Sequence, residues 1–308
     1  MKTYSRRQIL NNIALSFSLV LLTPQLSVAN QETLLPNINK TTRLLALNGA
    51  LTESIYALGM GKQLVGRDIT SVFPPDALSL PSIGYARHLS IESVMSVKPN
   101  LVLAEQETVT SYLKQNLSRA NIQLKIFDSS PTIAAAKSKL IDIAKMTCNQ
   151  NSNLNDPCYA RLNGLVHVFE KTWQQANQIV LAKPPKALFI FAGGQGKWLI
   201  AGRDTPAHAI LEISGIQNAF ASHSGFIPVS NEAILAAQPE VIITTNRTIT
   251  AMGGKAQFLA APFFKTSNNQ NLAKNLLYYD DLFLLGFGPR TPNAVLSLKK
   301  DLRKIFSN

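Results

Sequence analysis

One segment of this 308-residue chain occurs twice, and that repeat restricts the fold more than any other feature. Residues 89–104 (LSIESVMSVKPNLVLA) and 229–244 (VSNEAILAAQPEVIIT) align without a gap at an offset of 140, so that Ser90 matches Ser230, Glu92 matches Glu232 and Pro99 matches Pro239. Each Ser stands where a hydroxyl can accept from the free amides of a helix start. Each Glu falls in the first turn, where the helix dipole favours a carboxylate. Val94 and Val97, like Ile234 and Ala237, recur at the spacing of a buried helix face. The prolines stop the helix, and the apolar runs at 101–103 and 241–243 then have the pattern of buried parallel strands. A helix–Pro–strand unit present twice predicts two similar α/β lobes.

Other segments extend the alternation. The first half carries a strand at 44–47, a helix at 52–58 ended by Gly59, a strand following 63–66, a helix at 112–120 and a strand at 124–127. In the second half a strand at 187–191 precedes a helix at 206–213, capped by Asp204 or Thr205 and stopped by Gly215. Strands alternating with helices predict parallel sheets covered on both faces. Between the halves, residues 159–181 hold no proline, and Leu162, Leu165, Val166, Phe169 and Trp173 recur at helical spacing. The expected fold class is therefore α/β, with two Rossmann-like lobes of parallel sheet joined by one long connecting helix and a ligand cleft between them. The expected boundaries are 41–158 for the first lobe, 159–183 for the helix and 184–308 for the second lobe.

Ahead of these lie an export signal at 1–29 and a lead-in at 30–40. Lys2, Arg6 and Arg7 precede an apolar run at 13–22, and Ser27-Val28-Ala29 offers small residues for cleavage. The run is shorter than the roughly 20 residues a membrane-spanning helix needs. Ser5-Arg6-Arg7 also resembles a twin-arginine signal, so the export route stays open. Cleavage after Ala29 takes the formal charge from +12 to +9. An exported basic protein with no Lys/Arg-rich run is not expected to bind nucleic acid, whereas an anionic small molecule suits it. Cys148 and Cys158, in an Asn-rich stretch, are expected to form a disulfide in an oxidising compartment, two free thiols being the alternative.

Enzyme signatures are missing: the sequence contains no phosphate-binding P-loop, no Gly-x-Ser-x-Gly elbow and no His-Glu-x-x-His motif. The chemistry lies instead in Gly84-Tyr85-Ala86-Arg87, a loop expected beside the carboxyl edge of a parallel sheet, where ligands bind in such folds. In extended chain Tyr85 and Arg87 point the same way. A guanidinium beside a phenol favours the phenolate, a hard ligand suited to ferric haem iron. The plainer reading is a tyrosine on the cleft wall with Arg87 paired elsewhere.

Three stretches together resemble the haem-specific periplasmic binding proteins of ABC importers: 80–90 (LPSIGYARHLS), 201–207 (AGRDTPA) and 284–292 (LLGFGPRTP). The segment 48–59 (NGALTESIYALG) is also similar. The repeat is shared with the wider superfamily of siderophore and cobalamin binders, whereas the 80–90 and 284–292 stretches are narrower. The resemblance implies a periplasmic, monomeric protein that catalyses nothing, takes haem as transported ligand and hands it to a permease with its cytoplasmic ATPase, downstream of an outer-membrane haem receptor. It makes Tyr85 the axial ligand of the haem iron, with Arg87 bonding the phenolate or a propionate. It places Glu92 and Glu232 on the two lobes as docking carboxylates for the permease. Gly193 and Gly194 would let a flat macrocycle approach the backbone. Arg203 and Arg290 are candidates for propionates or for structural ion pairs, and Phe287, with Phe283 and Tyr279, for the apolar wall. Some members supply a His from the loop at 191–194, which here has none, so five-coordinate ligation is expected, with His88 and His208 as weak substitutes. The alternatives are a ferric siderophore or corrinoid binder of the same architecture and, in a different class, an exported hydrolase or haem-modifying enzyme.

Overall fold

The structure, a computed structural model, describes residues 41–147, 157–193, 197–265 and 270–306. The expected export signal and lead-in, Cys148 and Gly194 lie outside the described residues.

The first sheet is built from β1 (Leu44–Leu47), β2 (Leu64–Arg67), β3 (Leu101–Glu105) and β4 (Gln123–Phe127), all parallel and in the order β2-β1-β3-β4. Alternate residues of a strand face opposite sides, and both sides of this sheet are covered. Leu44 and Ala46 join Leu51, Ile55 and Leu140 in one core, while Leu45 and Leu47 join Val94, Val97 and Leu117 in another. That double burial is why β1, and β3 up to Ala104, are continuous apolar runs. The helices that cover it are α1 (Gly49–Ala57), α2 (Ile91–Ser96), α3 (Ser111–Arg119) and α4 (Ile133–Thr147).

The connecting helix is α5 (Pro157–Gln178). It starts before Tyr159 because Pro157 takes the first helical position, where a missing amide costs nothing, and it ends short of the expected 181. Its apolar stripe serves two cores. Leu162, Leu165 and Val166 pack into the core of the first sheet, whereas Phe169, Trp173 and Ala176 pack into that of the second.

The second sheet contains β5 (Lys186–Gly193), β6 (Lys197–Ala201), β7 (Gln217–Asn218), β8 (Phe226–Pro228), β9 (Val241–Thr245) and β10 (Leu276–Tyr279). Its order is β10-β9-β5-β6-β8, with the short β7 beside β5. β10, β9 and β5 are parallel, but β6 runs antiparallel to β5 and β8 antiparallel to β6. The expectation of a wholly parallel second sheet is corrected here. Only residues 194–196 separate β5 from β6, and a parallel crossover needs about a dozen residues. The helices of this half are α6 (Pro206–Ile213), α7 (Asn231–Ala237), α8 (Asn246–Ala251), α9 (Lys255–Leu259), α10 (Gln270–Lys274), α11 (Asp281–Leu285) and α12 (Thr291–Phe306), the last packed along α5.

The repeat is visible atom by atom. Ser90 Oγ accepts from the Ser93 amide at 3.2 Å, and Ser230 Oγ accepts from the Ala233 amide at 3.2 Å. Val94 and Ile234 are buried beneath the two helices. Lys98 and Gln238, each followed by proline, both sit in the left-handed region, at φ 48° and φ 47°. Ordinary side chains rarely adopt that conformation, so the two turns from helix to strand share even their unusual geometry.

Candidate functional site

Strand ends decide where this molecule can bind. Asn48 follows β1, Asp68 follows β2, Glu105 ends β3, and Glu107 lies just beyond it; Arg247 follows β9 and Asp281 follows β10. All of them line one cleft of about 530 Å³, within the ~300–1,000 Å³ typical of small-molecule sites. Side chains at the carboxyl ends of parallel strands converge on such a crevice because the loops there diverge around the point where strand order reverses. In the first sheet that point lies between β1 and β3. Asn48 Nδ2 bridges it, donating to Glu105 Oε2 at 2.7 Å.

The floor is polar and fully engaged. Lys139 Nζ lies 2.5 Å from Glu105 Oε1, with both side chains buried. Burial pushes the Glu105 carboxyl above its ordinary range, against the pull of the Lys139 charge and hydrogen bond. Asp68, wholly buried, accepts from Thr70 Oγ1 at 2.6 Å and Ser71 Oγ at 2.5 Å. The walls are apolar: Ile69 and Val72 from the first lobe, and Leu199, Phe226, Leu282 and Phe287 from the second. Phe287 is buried yet sits at φ 48°. A bulky residue there is strained, and the glycines on either side show how it is held. A Cβ on Gly286 would lie 2.5 Å from Leu282 O, and one on Gly288 would lie 3.1 Å from Ala50 Cβ. The Gly-Phe-Gly turn is therefore wedged between α11 and α1.

Tyr85 stands at the cleft wall, 39% exposed. Its position follows from backbone pairing along the continuation of β2. Arg67 N donates to Pro81 O, and Ile83 N donates to Arg67 O, both at 2.9 Å; Ile69 N donates to Gly84 O at 3.0 Å. Gly84, at φ 97°, then turns the chain inward. Arg87 also lines the cleft, but its guanidinium is bound to Glu107, with Nη2 2.8 Å from Oε1. The pairing of Arg87 with the phenol is thus replaced by a pairing with an acid from the next strand end.

Other sequence candidates fall elsewhere. Arg290 is a structural ion-pair residue outside the cleft lining. Its Nε and Nη2 donate to Glu53 Oε1 and Oε2 at 2.7 and 3.0 Å. Its guanidinium lies 3.6 Å from the Phe73 ring centroid and 5.3 Å from that of Phe283. Burial pushes the Glu53 carboxyl up, and Arg290 opposes the shift. Arg203 is not among the cleft-lining residues and is exposed, with Nε 3.6 Å from Asp204 Oδ2. Phe283 and Tyr279 pack into the core of the second lobe, where the Tyr279 hydroxyl donates to Asp301 Oδ2 at 2.8 Å, so neither walls the cleft. His88 has its ring 5.8 Å from that of Tyr85 but is not among the cleft-lining residues. His208 is engaged by Asn218 at 3.2 Å and is not among the cleft-lining residues. Gly193 ends β5, in register with Lys197. Cys158 is disulfide-bonded. Glu92 and Glu232 are exposed in the first turns of α2 and α7, and hydrogen bonds from their own backbone amides and from Ser90 and Ser230 hold both carboxyls below the usual range.

Sequence reasoning missed Arg247, paired to Asp281 with Nε 2.7 Å from Oδ2, and the floor residues Asp68, Glu105 and Lys139. A signal for Arg247 was present: it lies two residues beyond a strand identified from the repeat, where ligand-facing loops begin.

Two α/β lobes that turn their strand ends toward one shared cleft define a solute receptor. The chain belongs to the periplasmic binding protein family, whose description matches residues 44–270. The family's members are solute-binding proteins of ABC transporters, not enzymes. Among solved structures the chain is similar to the periplasmic heme-binding protein RhuT from Roseiflexus sp. RS-1 in its apo form, with 30% identity and a TM-score of 0.75 over 86% of this chain and 98% of that one. A vitamin B12-binding protein of Photorhabdus laumondii subsp. laumondii is 27% identical over 261 residues, 84% of this chain and 87% of that protein. An uncharacterized ABC transporter substrate-binding lipoprotein of Bacillus subtilis, YvrC, is 24% identical over 207 residues, which span 66% of this chain and 63% of that protein's length.

Proposed function

We propose that this protein captures haem in the periplasm and delivers it to the permease of an ABC importer. The single observation that carries this reading is the placement of Tyr85: an accessible phenol on the wall of a cleft with apolar walls, beside the cleft-lining Arg87. In this reading the Tyr85 oxygen binds ferric iron. The macrocycle lies against Ile69, Val72, Phe226, Leu282 and Phe287, and its carboxylates meet Arg87 on one lobe and Arg247 on the other. Glu92 and Glu232, equivalent and exposed, meet the permease. The likeness to a heme-binding structure supports this assignment.

Titration of the purified protein with haemin tests it. The wild type should give a saturable spectrum of tyrosinate-ligated ferric haem, and Tyr85→Phe should abolish that spectrum and weaken binding at least tenfold. An unchanged spectrum in the variant would remove Tyr85 from the iron.

A corrinoid is the second reading, favoured by the vitamin B12-binding relative. It needs the same cleft but no phenolate. Tight binding of cyanocobalamin that excludes haemin would establish it in place of haem.

A further inference from the structure

The cleft's cations are already neutralised. Arg87 and Glu107 lie 2.8 Å apart on the first lobe, Arg247 and Asp281 lie 2.7 Å apart on the second, and Lys139 is committed to Glu105 on the floor. The first two pairs differ from the third in one respect. The side chains of Arg87 and Glu107 are 50% and 45% exposed, and those of Arg247 and Asp281 are 66% and 24% exposed, whereas Lys139 and Glu105 are buried. A pair open to solvent on at least one partner, as Arg247 is beside the less exposed Asp281, is readily broken; one with both partners buried is not. A ligand carboxylate seeking either guanidinium must replace an acid that already occupies its place.

We propose that Glu107 and Asp281 are resident counter-ions whose displacement sets how strongly the cleft favours ligands with two anionic arms over neutral ones of the same shape. This rests on the haem reading. In the empty cleft each acid screens its arginine. A dianionic porphyrin exchanges one carboxylate for another at both lobes and gains only the difference between the two pairings. A neutral porphyrin leaves both resident pairs in place. The acids therefore moderate affinity, and each acts as a specificity residue without touching the ligand's ring.

Haemin and its dimethyl ester test this, since the ester keeps the iron and the ring but has no anionic arms. Their affinities are measured for the wild type, Glu107→Gln and Asp281→Asn. Each substitution should tighten haemin roughly two- to fivefold, as expected for an exposed ion pair, and leave the ester unchanged, so the haemin-to-ester ratio rises. In an Arg87→Gln background the gain from Glu107→Gln should vanish. A ratio that stays level or falls in both single variants, as it would if the acids hold the arginines in place for the ligand, overturns the proposal. So does a gain that persists without Arg87, which would mark a diffuse charge effect. In both of those outcomes the ester still binds through iron, so the haem reading stands. If neither porphyrin saturates the wild type, that reading fails and the proposal with it.

Discussion

Glu107 and Arg247 stand at equivalent positions three residues past the two copies of the internal repeat, each two residues beyond the end of its strand, and they carry opposite charges into one cleft. Their partners do not correspond. Glu107 takes an arginine from the loop ahead of its own repeat unit, while Arg247 takes an aspartate that follows the next strand. The duplicated scaffold thus fixes where cleft residues stand, and the two halves have filled those places differently. A symmetric cradle would suit a symmetric ligand; this one presents unlike edges.

The Glu53–Arg290 pair fastens α1 to the Gly286–Arg290 turn. Replacing Glu53 by Gln should lower unfolding free energy by about 2–3 kcal/mol, because a partly buried guanidinium loses its bidentate partner. The pH dependence has a definite sign. Burial raises the Glu53 carboxyl above its ordinary 4.5, so the folded chain holds that proton better than the unfolded chain does. The increment linked to this proton is absent well above the raised value and grows as pH falls toward 4.5, on top of the pairing with Arg290. The gap between wild type and variant in urea melts should widen over that interval; a gap that narrows would contradict the assignment.

Ser90 and Ser230 make the same bond in two places. Ser90→Ala and Ser230→Ala should each cost about 1 kcal/mol. Because the sites are far apart, the double variant should cost their sum to within roughly 0.5 kcal/mol. Chemical denaturation of all four proteins checks this, and a loss at only one site would show that the two helix starts are not energetically equivalent.

Gly49 and Gly164 should respond oppositely to alanine. A Cβ on Gly49 would lie 2.6 Å from Thr70 O and 2.7 Å from Leu282 Cδ1, whereas one on Gly164 would meet nothing within 4 Å. Gly49→Ala must shift the Thr70 backbone or the start of α1 and turn the Leu282 side chain, at about 1–3 kcal/mol, and the displaced cleft wall at Leu282 should weaken haemin binding. Gly164→Ala, inside α5, should stabilise the protein by about 0.5–1 kcal/mol. Thermal melts with a haemin titration read both.

Glu92→Lys and Glu232→Lys should impair haem-dependent growth or uptake through the importer while leaving the affinity for haemin within twofold of wild type. Both carboxylates stand outside the cleft lining, on α2 and α7. A loss of haemin affinity instead would tie these helices to the cleft rather than to a partner.

The repeat exposed the architecture because it couples local signals. A capping Ser, an acidic first turn, a stopping Pro and an apolar strand all point one way in each copy, and α2, β3, α7 and β9 form where they direct. Lone features were less legible. The stretch from Gly193 read as a ligand loop, so β6 and its antiparallel pairing with β5 were not anticipated. Arg290 and Arg203 stayed open between ligand contact and ion pair because sequence reveals a charge but not its counter-charge, and Glu53 lies 237 positions from Arg290. The floor charges Asp68, Glu105 and Lys139 were missed for the same reason. An acid ending a buried strand has no local pattern that says whether it faces a cleft, a core or a lysine on a distant helix.

Helix α5 gives half of one continuous stripe to each core, and α12 returns from the far end of the chain to lie along it. Neither half of the protein therefore owns a complete interior. Severed between the halves, each fragment would expose a greasy flank meant for the other and would clump rather than fold. Intact, the molecule should melt in a single calorimetric peak, its two lobes surviving or failing together.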